Sequence, residues 1–351
     1  MNNGIVYVVC PANSFSGGAD ALHQMVYYLN QMNVCAKIVY KVDDFNKDSV
    51  SIPDRYRVYV NDYLLESDIV DSLKNIIVVS ESYTKERLKY KNAKVLIWWL
   101  GINENLTYNF WKKVFFLLTI PLRMLKNHNY YKNRTSSVIK TILNREIYPF
   151  KNELPGITHL CASYYAFDYV SRKSRNKVFL CIEPISKLFL NGYLKGKGDI
   201  PLEFRKDVIL FNPARNYNKI IKKISDRAPE LKFEPLRGFN QQQLIEKYAS
   251  SKLYIDFGAF PGAERIPKEA VLYGCAIITG KRGASGFYGD VPIPNEYKFD
   301  DPEMQIDQIV KRIQYVLSDY KSVYHDFDEY RETVLNLEKK FIKSLTEVFI
   351  K

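Results

Sequence analysis

Short apolar runs alternate with segments of helical periodicity along this chain, and this alternation constrains the fold more than any other feature. The first run, Ile5–Cys10, has no polar interruption, which is typical of a parallel strand covered on both faces. The segment after it carries apolar residues at helical spacing, namely Leu22, Met25, Val26 and Leu29. Ala36–Tyr40 is the next apolar run. Strand, helix and strand in this order predict a βαβ unit.

The same alternation continues to the end of the chain. In the first half, further strands are predicted at 57–60, 75–79, 94–100, 158–162 and 178–182. In the second half, strands are predicted at 207–211, 232–236, 253–257 and 276–279. Helices are predicted at 218–226, at 240–249 with Asn240 as the cap, and at 266–273 with Gly274 as the stop. The C-terminal segment is also predicted to be helical, with one apolar face formed by Ile306, Ile309, Ile313 and Val316.

The length favours two domains, since 351 residues exceed the size at which one hydrophobic core usually stops growing. The glycine- and lysine-rich stretch Gly192–Asp199 has the composition of a linker. We therefore predict a first Rossmann-like domain over residues 1–190, with an insertion at 104–151. A second such domain is predicted over 191–320, and a helical segment over 321–351 is expected to pack back on the first.

The net charge of +12 is concentrated in the predicted insertion. Between Glu104 and Lys151 there are nine lysines and arginines against two glutamates, which gives +7. Such a block points to an anionic partner, either a membrane surface or a nucleic acid. Its longest uncharged apolar stretch, Val114–Leu122, has nine residues, whereas a spanning helix needs about twenty. The mixture of aromatic, aliphatic and basic residues over 110–126 is typical of a segment lying in a membrane interface, although a packed helical insertion with solvated lysines is the alternative.

The five cysteines stand singly in the sequence, without a Cys-x-x-Cys or Cys-x-x-His spacing. A structural zinc site and a disulfide framework are therefore not expected. The N-terminus does not read as a signal peptide, so the prediction is a protein of the reducing cytoplasm.

The stretch from Asp256 to Ala270 is the most informative candidate for a binding site. A predicted strand ends there in a loop that holds Gly258 and Gly262, and a helix with Pro267 in its first turn follows. Backbone N–H groups at a helix start can hold a diphosphate, and Arg265 can add a fork of donors. Glu269 could accept hydrogen bonds from ribose hydroxyls. The alternative is a tight loop whose glycines serve only the turn and whose charges are solvated.

This stretch resembles the donor-binding signature of GT-B glycosyltransferases, especially their GT4-like group. The matching residues run from Lys268 through Glu269, Ala270 and Gly274 to Ile278. The resemblance implies an α/β fold of two Rossmann-like domains facing across a cleft and a nucleotide-sugar donor bound by the second domain. Where the family often has a second glutamate, eight positions before the first, this chain has Pro261. Glu264 is the nearby carboxylate that could take its place.

The resemblance extends to two further places. Arg215 and Lys219 follow the strand at 207–211, as the family's two phosphate-binding cations do. Their alternative role is that of surface cations on a lysine-rich helix. Gly17 and Gly18 resemble the family's Gly-Gly loop, which approaches donor and acceptor. No cofactor is implied, since the nucleotide sugar is a substrate.

Candidates for a general base are Asp20, His23 and Glu104. His23 could instead flank a core face, and Asp20 could instead cap its helix. His159 lies within a predicted strand and is interpreted as structural.

The leading hypothesis is a metal-independent glycosyltransferase of the hexosyltransferase type. It would extend a lipid-linked or glycan acceptor in bacterial surface polysaccharide synthesis, for lipopolysaccharide, O-antigen or capsule. It would work peripherally at the cytoplasmic membrane face through residues 110–126, with no nucleic-acid partner. The alternatives are a GT-B-like nucleotide-sugar epimerase and, in another class, a nucleic-acid-binding protein that uses the basic block.

Overall fold

A computed structural model describes residues 4–42, 50–102, 114–115, 117–126, 147–215 and 218–350. The chain divides into two compact units. The first unit comprises Met1–Ala162, Ala166–Leu180 and Leu345–Lys351, and the second comprises Ser163–Tyr165 and Cys181–Ser344. Glu104 and most of the basic block lie outside the described residues.

The first unit contains a parallel sheet, with seven strands in the part of the chain that the structure describes. They are β1 Val6–Pro11, β2 Ala36–Lys41, β3 Leu64–Leu65, β4 Ile76–Ser80, β5 Lys94–Trp99, β6 Thr158–Cys161 and β7 Lys177–Leu180. Their order is β3-β2-β1-β4-β5-β6-β7. The described helices are α1 Gly17–Gln31, α2 Ile120–Lys126 and α3 Tyr164–Ser171, the last of which begins in the second unit. The βαβ unit predicted at the start of the chain is confirmed, because β1 and β2 are parallel neighbours in the sheet and α1 lies between them in the sequence.

The strand predicted at 57–60 is wrong. A 3-10 turn at Asp54–Tyr56 is followed by further turn residues, and Tyr56, Tyr59 and Val60 are buried while Val58 is exposed. The apolar residues are thus buried from a compact turn, without a pleated strand.

In the second unit, the residues that the structure describes form a parallel sheet of five strands. They are β8 Lys206–Phe211, β9 Lys232–Pro235, β10 Ser251–Asp256, β11 Ala276–Gly280 and β12 Lys298–Phe299, in the order β12-β11-β10-β8-β9. The helices are α4 Lys187–Leu194, α5 Asn218–Arg227, α6 Gln241–Ser250, α7 Arg265–Leu272, α8 Ile306–Ser318, α9 Tyr320–Tyr324, α10 Asp328–Leu335 and α11 Leu337–Phe349. Residues of α11 from Leu345 onward count with the first unit.

The predicted helix limits in the second unit are confirmed by their capping interactions. Asn240 accepts a hydrogen bond from Gln243 N, and the Gln243 side chain accepts one from Asn240 N, which is a capping box. Gly274 follows α7 with a φ of +96°, a conformation that favours glycine.

The stretch Gly192–Asp199, interpreted as a linker from its composition, lies inside the second unit. A Cβ on Gly192 would stand 2.7 Å from the Tyr273 hydroxyl, and one on Gly198 would stand 2.8 Å from the Ala249 Cβ. These glycines therefore permit close packing against α6 and the end of α7.

Among the described residues, no helix combines the length and the apolar character needed to cross a bilayer.

Candidate functional site

The loops after β8 and β10 leave the second sheet at the same edge. The two strands are parallel neighbours, with Ile255 opposite Phe211 near their ends. In parallel α/β sheets, ligands bind beyond the carboxyl ends of the strands. The candidate residues Arg215 and Gly262–Glu269 belong to these two loops and to the helix α7 that follows.

Arg215 reaches from the first loop to the second. Its guanidinium forms an ion pair with Glu264, and its Nη1 donates a hydrogen bond to the Ala259 carbonyl at 2.8 Å. A Cβ on Gly258 would lie 3.2 Å from Arg215 Cδ, so a glycine here lets the two loops approach. The ion pair raises the pKa of Arg215 in spite of its burial, which by itself would lower it.

Asp256, at the end of β10, is a second carboxylate near Arg215. It is 1% exposed and accepts hydrogen bonds from Gly258 N and the Tyr254 hydroxyl, each at 2.9 Å. Burial raises the pKa of Asp256, and these two bonds together with Arg215 offset only part of that effect. Asp256 is therefore held in place at the carboxyl end of β10.

Helix α7 contributes an internal pair of charged side chains. Arg265 Nη2 lies 3.3 Å from Glu269 Oε1, one turn further along, and both side chains are largely buried. Gly262 is buried in the loop just before the helix. Pro267 is the third residue of α7, and a proline is tolerated there because the N–H groups of the first helical turn have no hydrogen-bond partner within the helix. Arg265 and Glu269 thus lie together in the first turns of α7, and their role in donor binding stays a prediction.

Lys268 enters the sequence prediction only as the first residue of the matching segment, without an assigned role. It is 3% exposed, and its Nζ lies 4.0 Å from Glu183, which is buried as well. Lys268 also lines a small cavity together with Asp290 and Tyr330. A lysine between Pro267 and Glu269 in a first helical turn has the pattern of a surface residue, and only the packing of the unit reveals its burial.

Lys219 is exposed in the first turn of α5. Residues 216–217, between it and Arg215, lie outside the described part of the chain. Asp326 and Asp328 form an Asp-x-Asp sequence, and each is paired with a side chain of the second unit. Asp326 accepts a hydrogen bond from the Tyr297 hydroxyl, and Asp328 pairs with Arg331.

In the first unit, Gly17 and Gly18 begin α1 directly after β1 and its loop. The cap of this helix is Ser16, whose hydroxyl accepts from Ala19 N at 3.1 Å, so the alternative role of Asp20 as the cap is wrong. Asp20 is 2% exposed, accepts a hydrogen bond from Gln24 and lies 3.4 Å from Arg55.

His23 is a core residue of the first unit. It is fully buried, and its ring stacks on Tyr56 at a centroid distance of 4.2 Å. Its Nδ1 lies 2.6 Å from the Ala19 carbonyl and must donate, so Nε2 accepts from the Tyr40 hydroxyl at 2.8 Å. Burial lowers the pKa of His23. With both nitrogens occupied, this geometry argues against His23 as a general base and favours its alternative role beside the core.

His159 has the structural role expected of it. It is fully buried in β6, with its Nδ1 3.0 Å from Trp99 Nε1 and its Nε2 3.1 Å from Glu153. Glu104 lies outside the described residues.

Comparison with known proteins gives no match to a protein-family model and none to a curated protein sequence. Solved structures do match. A glycosyltransferase from Rickettsia africae ESF-5 superposes with a TM-score of 0.57 at 14% identity, over 100% of both chains. A sucrose-phosphate synthase from Thermosynechococcus elongatus gives 0.58 at 12% identity, over 99% of this chain and 98% of that one. WaaG, described as a glycosyltransferase involved in lipopolysaccharide biosynthesis, gives 0.54 at 10% identity, over 97% and 98%.

At these identities the likeness establishes the fold. The likeness and the two parallel-stranded α/β units of this chain together confirm the predicted fold class of two Rossmann-like domains. The narrower GT4-like assignment stays a prediction.

Proposed function

We propose, on the premise that this chain has the GT-B fold of glycosyltransferases, that it transfers a hexose from a nucleotide-diphosphate donor to a lipid-linked or glycan acceptor. The observation that carries the proposal is the meeting of Arg215 with the loop before α7 at the carboxyl edge of β8 and β10. This edge is where α/β folds bind phosphorylated ligands.

The donor site would use two guanidinium groups and a helix start. Arg215 and Arg265 offer planar forks that match a diphosphate, and the first N–H groups of α7 point at the same loop. A sugar leaves the donor as negative charge develops on the diphosphate, so fixed positive groups there favour the transfer step. Glu269 would accept hydrogen bonds from the ribose, while Gly262 lets the backbone approach the phosphates. Lys219 would add a point charge from α5.

The acceptor would be held by the first unit, where Gly17 and Gly18 begin α1. A base near this loop would remove the proton of the acceptor hydroxyl. Asp20 and Glu104 remain the candidates for it. Asp20→Asn and Glu104→Gln separate them, because the true base loses turnover while donor binding persists.

The membrane part of the proposal rests on an exposed apolar stripe within 110–126. Phe115, Leu118, Leu122 and Leu125 recur at helical spacing and are 64%, 73%, 64% and 82% exposed. Leu122 and Leu125 lie in α2, and Phe115 and Leu118 precede it. An amphipathic helical segment with such apolar residues and basic neighbours binds the interface of an anionic bilayer. A lipid-linked acceptor would be presented there, which suits a peripheral enzyme at the cytoplasmic membrane face in surface polysaccharide synthesis.

The experiment is a thermal-shift screen against nucleotide sugars and nucleoside diphosphates, followed by a transfer assay with the sugar that binds. We expect one nucleotide family to stabilise the protein, and Arg215→Ala to lose that stabilisation. Arg227→Ala is the matched control, since Arg227 is an exposed arginine of the same unit, paired with Asp307 on α8. Stabilisation of the wild type by none of the nucleotides, or equally in Arg215→Ala, would contradict the donor site.

A further inference from the structure

One guanidinium in the candidate donor site is paired with one carboxylate and lies near a second. Arg215 is paired with Glu264, and Asp256 is close enough to influence its pKa. The remaining Nη1 donates to the Ala259 carbonyl. Arg215 is thus engaged by groups of its own chain at the place where a diphosphate would bind.

The two carboxylates differ in how firmly they are held. Asp256 is 1% exposed and fixed by hydrogen bonds from Gly258 N and the Tyr254 hydroxyl. Glu264 occupies the N-cap position of α7, but its side chain makes no capping hydrogen bond there and is 19% exposed. Glu264 is therefore the carboxylate that can leave Arg215 without breaking an interaction of the helix start.

We propose that Glu264 is an internal competitor for the donor, whose carboxylate occupies the Arg215 guanidinium until a diphosphate displaces it. The inference rests on the proposed function and makes Glu264 a positioning residue. It replaces the expectation that Glu264 stands in for the glutamate absent at Pro261. The exchange is one anion for another on the same fork of donors, so no new cation is needed.

The exchange has two consequences for the proposed reaction. A diphosphate, with more charge and more acceptor oxygens than one carboxylate, displaces Glu264 more readily than a nucleoside monophosphate does. Its affinity is still reduced by the work of breaking the internal pair. After transfer, the returning Glu264 carboxylate competes with the nucleoside diphosphate product and favours its release, a step that limits many enzymes.

The charged and titratable groups that face Glu264 give the exchange a pH dependence. They are Arg215 after β8, Asp256 on β10, Lys268 on α7 and Tyr330 on α10. Burial raises the pKa of Glu264, and Arg215 offsets only part of that effect. Because protonation of Glu264 releases Arg215, binding of a diphosphate should tighten as the pH falls through this raised pKa.

Glu264→Gln tests the proposal by titration calorimetry with UDP, GDP, ADP and inorganic pyrophosphate. We expect the probes that bind the wild type to bind the variant about tenfold more tightly, the size of one charge-assisted hydrogen bond. The affinity of the variant should also gain less on acidification than that of the wild type. The difference between the two pH profiles removes the protonation of the phosphate itself, which both proteins share.

Glu296→Gln is the matched control. It removes one negative charge from the same unit, where Glu296 accepts a hydrogen bond from Arg312 at 3.2 Å, and should change neither affinity nor pH profile. Glu264→Asp, which keeps the charge but shortens the side chain, should tighten binding as well. This second variant serves if Glu264→Gln does not fold.

The outcomes separate this inference from the proposed function. If Arg215→Ala weakens binding while Glu264→Gln leaves it unchanged or weaker, the competitor role is overturned and the donor site stands. Weaker binding of nucleoside diphosphates alone would mean that Glu264 contacts the nucleoside. If no probe binds the wild type, or Arg215→Ala changes nothing, the donor site and the inference fall together.

Discussion

Gly274 and Arg205 lie in such close contact that a Cβ on Gly274 would stand 2.4 Å from a guanidinium nitrogen of Arg205. Arg205 is buried and donates hydrogen bonds to the carbonyls of Tyr248, Ser251 and Tyr273. The glycine that ends α7 therefore also makes room for an arginine that ties α6, β10 and α7 together. Two costs of a side chain at Gly274 follow, one from the positive φ and one from this contact.

Gly274→Ala should lower the free energy of unfolding by more than about 2 kcal/mol, since strain at the positive φ adds to displacement of Arg205. The control is Gly196→Ala, where φ is +71° but nothing lies within 4 Å of the new Cβ. That variant should lose only about 1 kcal/mol. Urea unfolding followed by far-ultraviolet circular dichroism measures both, and equal losses would contradict the role assigned to the Arg205 contact.

Glu269→Gln should weaken nucleoside diphosphate binding by about tenfold, because one charge-assisted acceptor for the ribose is lost. Inorganic pyrophosphate has no ribose, so its affinity should not fall. Glu246→Gln on α6 is the matched control, since Glu246 is an exposed helical glutamate of the same unit. Calorimetry with both probes checks the prediction. An equal loss for pyrophosphate would place Glu269 with the phosphates.

The stability of the first unit should fall as the medium becomes mildly acidic. Burial lowers the pKa of both His23 and His159 below the ordinary value of about 6.5. A histidine that is neutral when folded and protonated when unfolded contributes stability above that value, which is lost as the pH drops towards the folded pKa. Trp98 and Trp99 are buried in β5 of the first unit, and residues 163–165 and 181–344 of the second unit include no tryptophan, so tryptophan fluorescence reports the unfolding of the first unit separately.

His23→Gln should therefore be less stable than the wild type at about pH 7.5 and should lose less on transfer to about pH 5.5. His325→Gln is the control, because His325 is exposed and belongs to the second unit. It should keep the pH dependence of the wild type. A His23 variant with the full pH dependence would leave the effect to His159 and other groups.

Much of the architecture follows from local patterns. The Asn240 box and the Gly274 stop are read from neighbouring residues, and the continuous runs at β1 and β10 bury both faces as their composition demands. The two-residue strands β3 and β12 are too short to leave a periodic signal. The strand prediction at 57–60 failed because an apolar run indicates burial but does not specify an extended backbone, and here the buried residues lie in turns.

The candidate site is less visible from sequence, because its interactions join distant segments. The sequence around Arg215 does not indicate that Glu264 is its partner, and the sequence around Glu264 does not indicate Arg215. Their pairing depends on β8 and β10 being neighbours in the sheet. The burial of Lys268 against Glu183 has the same origin. Residue type predicts which groups can bind a diphosphate, whereas only the packing determines which of them already have partners.

Leu122→Asp combined with Leu125→Asp should reduce binding to vesicles of anionic phospholipid severalfold, because two charges would enter the exposed apolar stripe. Leu73→Asp is the matched control, since Leu73 belongs to the same unit, is 84% exposed and lies outside the stripe. Vesicle sedimentation measures the bound fraction.

Reversal of charge at Lys112 and Lys113 should also reduce binding to these vesicles. The reduction should be larger at low salt, because the lysines contribute to binding electrostatically. An unaltered bound fraction in both variants would remove the membrane contact. Salt-sensitive binding to duplex DNA in place of vesicles would instead favour a nucleic-acid role for the basic block.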